Sequence, residues 1–60
     1  MKLKNHKGQY LESLSVNAIG IDILLCPKES APSWGLEEVN SLILLLYSHD
    51  YYFYAEDEEK

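Results

Sequence analysis

Sixty residues with a net charge of −5, one cysteine, five lysines and no arginine bound this chain tightly. A chain of that length forms one domain at most and buries only about 60% of the surface it exposes when unfolded, with no intramolecular disulfide to help. The acidic balance and missing arginine argue against direct nucleic-acid binding, and the longest apolar run, Leu42 to Tyr47, is far short of the roughly 20 residues of a spanning helix.

Residues 1–8 are polar and basic, with Lys2, Lys4 and Lys7, and end at Gly8, a turn former. They read as a loose arm or a short edge strand. Because Met1 to Lys7 hold no apolar segment and Cys26 is solitary, the chain is expected in a reducing, cytoplasmic setting. Across 9–16, Leu14 and Val16 alternate with Ser13 and Ser15, which predicts a strand. Asn17 and Ala18 suit a turn. Beyond them Ile19, Ile21, Ile23 and Leu25 alternate with Gly20, Asp22, Leu24 and Cys26, predicting a second strand over 18–26 and a hairpin. Gly20 would mark a bulge or a close backbone approach.

Pro27 ends that strand, and 28–33 is a loop by composition. Ser33 is the expected helix cap, Pro32 stiffens the entry, and Glu37 and Glu38 suit the positive end of the helix dipole. Leu36, Val39, Leu42, Ile43, Leu46 and Tyr47 then recur at helical spacing, while Leu44 and Leu45 fall off that face. Such an excess of apolar surface suggests a helix covered on two sides. The rival reading is mostly β, with 41–47 and 51–56 as a hairpin. The stretch 51–56 reads as a final strand, with Tyr51, Phe53 and Ala55 facing inward and Tyr52, Tyr54 and Glu56 outward. Residues 57–60 form an acidic tail. The expected fold is one small α+β domain over 1–60, in β-β-α-β order, with an antiparallel sheet and one helix packed on it.

No motif carries catalysis. His49-Asp50 is the only adjacent acid–base pair, and it lacks the further histidines and aspartates that a metal hydrolase needs, so it reads as a helix-ending turn. Two histidines and one cysteine do not complete a four-ligand zinc site without several carboxylates. Cys26 reads as a small apolar residue at a strand end, and the serines come with no nucleophile elbow. Neither enzymatic activity nor a cofactor is expected.

The candidate binding residues are Trp34, Tyr52, Tyr54, Glu56, Asp57, Glu58 and Glu59. Tryptophan and tyrosine supply large contact areas at interfaces, although Trp34 can equally staple its loop to the sheet. Glu56 to Glu59, with Glu37, Glu38 and Asp50, would steer toward a basic partner or imitate a row of phosphates. Small size, acidity and the lack of catalytic residues resemble, at the level of class, the single-domain inhibitors of phages and other mobile elements, some of which mimic DNA. The expected function is therefore to inhibit or sequester a larger, basic, nucleic-acid-handling protein. The alternative is a structural or regulatory homo-oligomer, a homodimer being its simplest form, that buries Leu44, Leu45 and the tyrosines against a second copy.

Overall fold

The structure, a computed structural model, describes residues 1–57. It is an α+β domain: β1 (Lys2–Asn5), β2 (Tyr10–Val16), β3 (Ile21–Cys26), a 3-10 turn (Lys28–Ser30), α1 (Leu36–Ser48) and β4 (Phe53–Glu56). The four strands form one antiparallel sheet in the order β3-β2-β1-β4, and α1 packs on one face of it.

Residues 2–5, read from the sequence as part of a loose arm or as an edge strand, lie inside the sheet between β2 and β4. Two causes combine. Leu3 is wholly buried in the core, and the turn back to β2 is tightly wired. Asn5 Oδ1 accepts from the backbone N–H groups of Lys7 (3.0 Å) and Gln9 (2.9 Å), and Gly8 takes the positive φ of 85° that such a reversal needs.

Strand register separates the two faces. Leu3 pairs with Ala55 and Asn5 with Phe53, while Lys2 pairs with Glu56, Lys4 with Tyr54 and Tyr10, and Tyr10 with Cys26. The first set faces the helix; the second faces away. A β-bulge between Leu11 and Ser13 puts one extra residue, Glu12, into β2, so Leu11 and Leu14 share the inner face despite a spacing of three. The simple alternation of the sequence misses this. It assigns the expected irregularity to Gly20, which instead sits in the hairpin turn.

That turn occupies 17–20, and β3 begins at Ile21 rather than at 18. Asn17 accounts for the difference: its Oδ1 accepts from Ile19 N (3.0 Å) and Gly20 N (2.9 Å), and its Nδ2 donates to Asp22 Oδ2 at 2.9 Å. Ile19, expected in line with Ile21 and Ile23, is therefore 98% exposed on the tip.

Leu36–Ser48 is a helix, which excludes the hairpin reading of 41–47. Its N-cap is Gly35 and not Ser33. Counting from Gly35 puts Glu38 at the third helical position, where its carboxylate accepts from Gly35 N at 2.8 Å, one half of a capping box. Ser33 Oγ instead accepts from the amino group of Met1 at 3.4 Å.

The helix ends in a Schellman arrangement. Asp50 N donates to Tyr47 O (3.0 Å) and Tyr51 N to Leu46 O (2.8 Å), with Asp50 at φ 68°. His49-Asp50 is thus the helix-ending turn expected from the sequence. An L-residue with a side chain strains in that conformation and glycine does not. Replacing Asp50 with glycine should stabilise the fold by about 0.5–1 kcal/mol, raising the thermal midpoint by a few degrees in a domain of this size, as differential scanning calorimetry would read.

Leu3, Leu11, Val39, Leu46 and Phe53 make the core, with Met1, Leu14, Ile21, Ile23, Trp34, Leu42 and Ile43 packed around it. No helix among the described residues is long and apolar enough to cross a membrane.

Candidate interaction surface

On α1 the buried line runs through Val39 and Leu46, flanked by Leu42 and Ile43. At 3.6 residues per turn, Leu36, Asn40, Leu44 and Tyr47 fall within an arc of roughly 80° on another side. Leu36, Leu44 and Tyr47 are exposed, Leu44 by 71%. Tyr52 extends the stripe beyond the helix end, its ring meeting that of Tyr47 edge-on at 5.5 Å between centroids and 63° between planes. Glu37 borders the stripe at one end and Asp50 at the other. The segment from Leu36 to Asp57 carries no lysine of its own, although Lys7 and His6 share a hollow with Asp50 and Tyr52 at the far end of the stripe.

Leu36 and Tyr47, grouped by spacing with the core-facing residues of the helix, are instead exposed, and Leu44 is expected at a surface only for contact with a second copy. The signal was the pair Leu44 and Leu45, which do not fit the core face. Of the two, Leu44 is exposed and Leu45 half-buried.

The expected residues disperse over three places. Tyr52 joins the helix stripe. Tyr54, half exposed, and Glu56 lie on the opposite, outer face of the sheet. Trp34 is half-buried against the core, and its backbone exchanges hydrogen bonds with Met1, donating to Met1 O at 2.7 Å and accepting from Met1 N at 3.0 Å. That is the loop-stapling arrangement. Its indole Nε1 is buried with no hydrogen-bond partner among the described residues. Asp57 is exposed; Glu58 and Glu59 lie outside the described residues.

Glu56 belongs to a second cluster. Tyr10, on the outer face yet only 5% exposed, donates its hydroxyl proton to the Glu56 carboxylate across the intervening strand β1. Lys4 Nζ stands 5.8 Å from the centre of the Tyr10 ring, a cation–π distance. Lys2, next to Glu56 in register, donates from Nζ to Lys28 O at 2.7 Å and so draws the 3-10 turn over this face.

The hydrogen bond to Glu56, then burial and the Glu56 charge, push the Tyr10 phenol up to about 12. The same hydrogen bond, helped by Lys28, Lys4 and Lys2 against an opposing contribution from burial, holds the Glu56 carboxyl below its ordinary range. Glu56 is therefore matched by cations and committed to the fold. Cys26, paired in register with Tyr10, has its thiol pushed up, first by burial and then by the Glu12 charge, which keeps it protonated and a weak nucleophile.

No group of three or more His, Cys, Asp or Glu among the described residues is placed to hold a metal ion. Comparison with protein-family models, with curated proteins and with solved structures returns no match.

Proposed function

We propose that this chain is a small binding protein whose helix stripe docks onto a larger, basic protein and thereby inhibits or sequesters it. The observation that supports this reading is the exposed, uncharged line of Leu36, Leu44 and Tyr47, extended by Tyr52 and bordered by Glu37 and Asp50. Four large apolar or aromatic side chains along one ridge suit the centre of an interface, and the acidic border suits a rim that selects a basic partner.

Charge argues against a second copy as occupant of this stripe. Packing two such helices antiparallel would set Glu37 of one beside Asp50 of the other, and packing them parallel would set Glu37 beside Glu37. A different chain with basic residues around an apolar groove meets no such repulsion. Basic surfaces of that kind are common on nucleic-acid-handling proteins, which are the expected targets. The chain would act on such a protein rather than on the nucleic acid itself.

Leu44 is exposed, so Leu44→Asp should leave the fold intact. It should weaken partner binding by about 2 kcal/mol or more, roughly thirtyfold, as expected for a central interface residue. Capture on the immobilised chain, followed by titration of the retained protein against wild type and Leu44→Asp, reads this directly. The retained protein should also elute as salt rises, because an acidic rim acts through screened charges. Equal retention by the two forms, or retention indifferent to salt, would rule out this docking face.

A further inference from the structure

The two edges of the sheet differ in a way that the helix stripe does not explain. β4 is four residues long and closes on Glu56, followed by Asp57, so it is short and ends in charge. Short, charged edges are how sheets avoid pairing with other strands. β3, the opposite edge, is six residues long and reads Ile-Asp-Ile-Leu-Leu-Cys. It has no lysine, no internal proline and a single charge, Asp22, and the bulge of the β2–β3 pair lies in β2. Both of its faces are apolar next to the open edge: Leu24, 59% exposed, on the outer face and Leu25, 37% exposed, on the inner.

We infer that β3 pairs antiparallel with β3 of a second copy, joining two four-stranded sheets into one of eight strands. Residues opposed across an antiparallel pair share a face, which restricts a two-fold pairing to registers centred on an inner residue or on an outer one. Centring on Leu24 meets the side chains best. Leu24 then opposes Leu24 of the second copy, Ile23 opposes Leu25, and Asp22 opposes Cys26. The exposed outer leucine is covered by its own counterpart. Lys28 of the second copy lies just past the end of its β3, in the turn that Lys2 holds over the same outer face, so the only charge on the strand is brought toward an opposite charge. Centring on Ile23 instead would set Asp22 against Leu24 and carry Lys28 out of reach.

This pairing uses neither the helix stripe nor the acidic end of the chain. It adds burial to a sixty-residue domain that has little, a usual role of self-association in small folds. It is also independent of the proposed partner: either can fail while the other stands.

Sedimentation of the full chain between about 1 and 100 μM tests the inference, with a dimer expected at the upper concentrations. Leu24→Lys would set two lysines opposite each other at the centre of the pair and should raise the monomer–dimer midpoint at least about tenfold. Leu44→Asp, on the helix stripe, should leave the dimer unchanged. As a second readout, Leu24→Cys in a Cys26→Ser background should cross-link to a dimer on mild oxidation, whereas Val16→Cys in the same background should not, because two-fold symmetry carries those positions to opposite ends. A wild-type chain that stays monomeric throughout, a dimer that survives Leu24→Lys, or a Leu24→Cys chain that fails to cross-link overturns the pairing.

Discussion

Leu3→Ala should destabilise the domain by about 2–5 kcal/mol, the usual cost of removing a fully buried leucine side chain and leaving its cavity. Leu3 is wholly buried and sits in β1 between the two flanking strands, touching the same cluster as Leu11, Val39, Leu46 and Phe53. Neighbours on both sides limit how far the site can collapse to fill the gap. A domain of this size holds stability of only several kcal/mol, so a loss of this order leaves much of the chain unfolded at 25 °C. Far-UV circular dichroism with urea titration would show a lowered midpoint at unchanged slope, or no folded baseline at all. A value within a few tenths of wild type would mean that the first strand is not part of the cooperative fold. The matched control is Leu44→Ala, on the exposed helix stripe, which should change stability little.

The second large effect is on the pH profile, and it comes from Tyr10 and Glu56. Tyr10 has a higher pKa folded, about 12, than its ordinary value of 10.0, so its contribution is complete below pH 10 and is lost as pH rises from there toward 12. Glu56 has a lower pKa folded than unfolded, so its contribution is complete above the ordinary carboxylate range and is lost as pH falls through it. Stability should thus hold a plateau between these limits and decline at both ends. In an alkaline absorbance titration, one of the five tyrosines should ionise last, near 12, and that late step should vanish in Tyr10→Phe. Glu56→Gln should bring the late step back toward the ordinary range, because it removes the carboxylate charge that opposes phenolate formation. Five phenols ionising together near 10 would contradict the Tyr10–Glu56 hydrogen bond.

The same pair explains why the outer face of β4 does not behave as its composition suggests. From the sequence, Tyr54, Glu56 and the acidic tail form one continuous outward surface. In the fold, Glu56 turns to a tyrosine 46 residues away and feels the charges of Lys28 in the 3-10 turn and of Lys4 and Lys2 in the first strand. Its charge is engaged within the molecule, which leaves the exposed carboxylates Glu37 and Glu38 in the first turn of α1, and Asp50 in a hollow that it shares with Lys7.

What the sequence determined by itself was the local structure. Periodicity of 3.6 over 36–47 favoured a helix over the rival hairpin, and periodicity of 2 over 18–26 and 51–56 pointed to two strands, because each apolar spacing has one backbone geometry that puts its side chains on a common face. The fold forms those strands only from Ile21 and from Phe53, and so leaves Tyr51 outside the sheet. The His49-Asp50 turn was legible for the same reason, as a local conformation with local partners. The tertiary structure alone decided three other things. The place of residues 2–5 inside the sheet depends on what Leu3 meets across the fold, and four residues with one leucine carry no period of their own. The bulge at Glu12 shifts the phase of β2 by one residue, which alternation cannot anticipate because it is imposed by pairing with β3. The exposed stripe of Leu36, Leu44, Tyr47 and Tyr52 emerges only when the helix settles with Val39 and Leu46 against the sheet. A helix with apolar residues around most of its circumference can be buried on any of several sides, and the packing partner, not the spacing, chooses which side remains for binding.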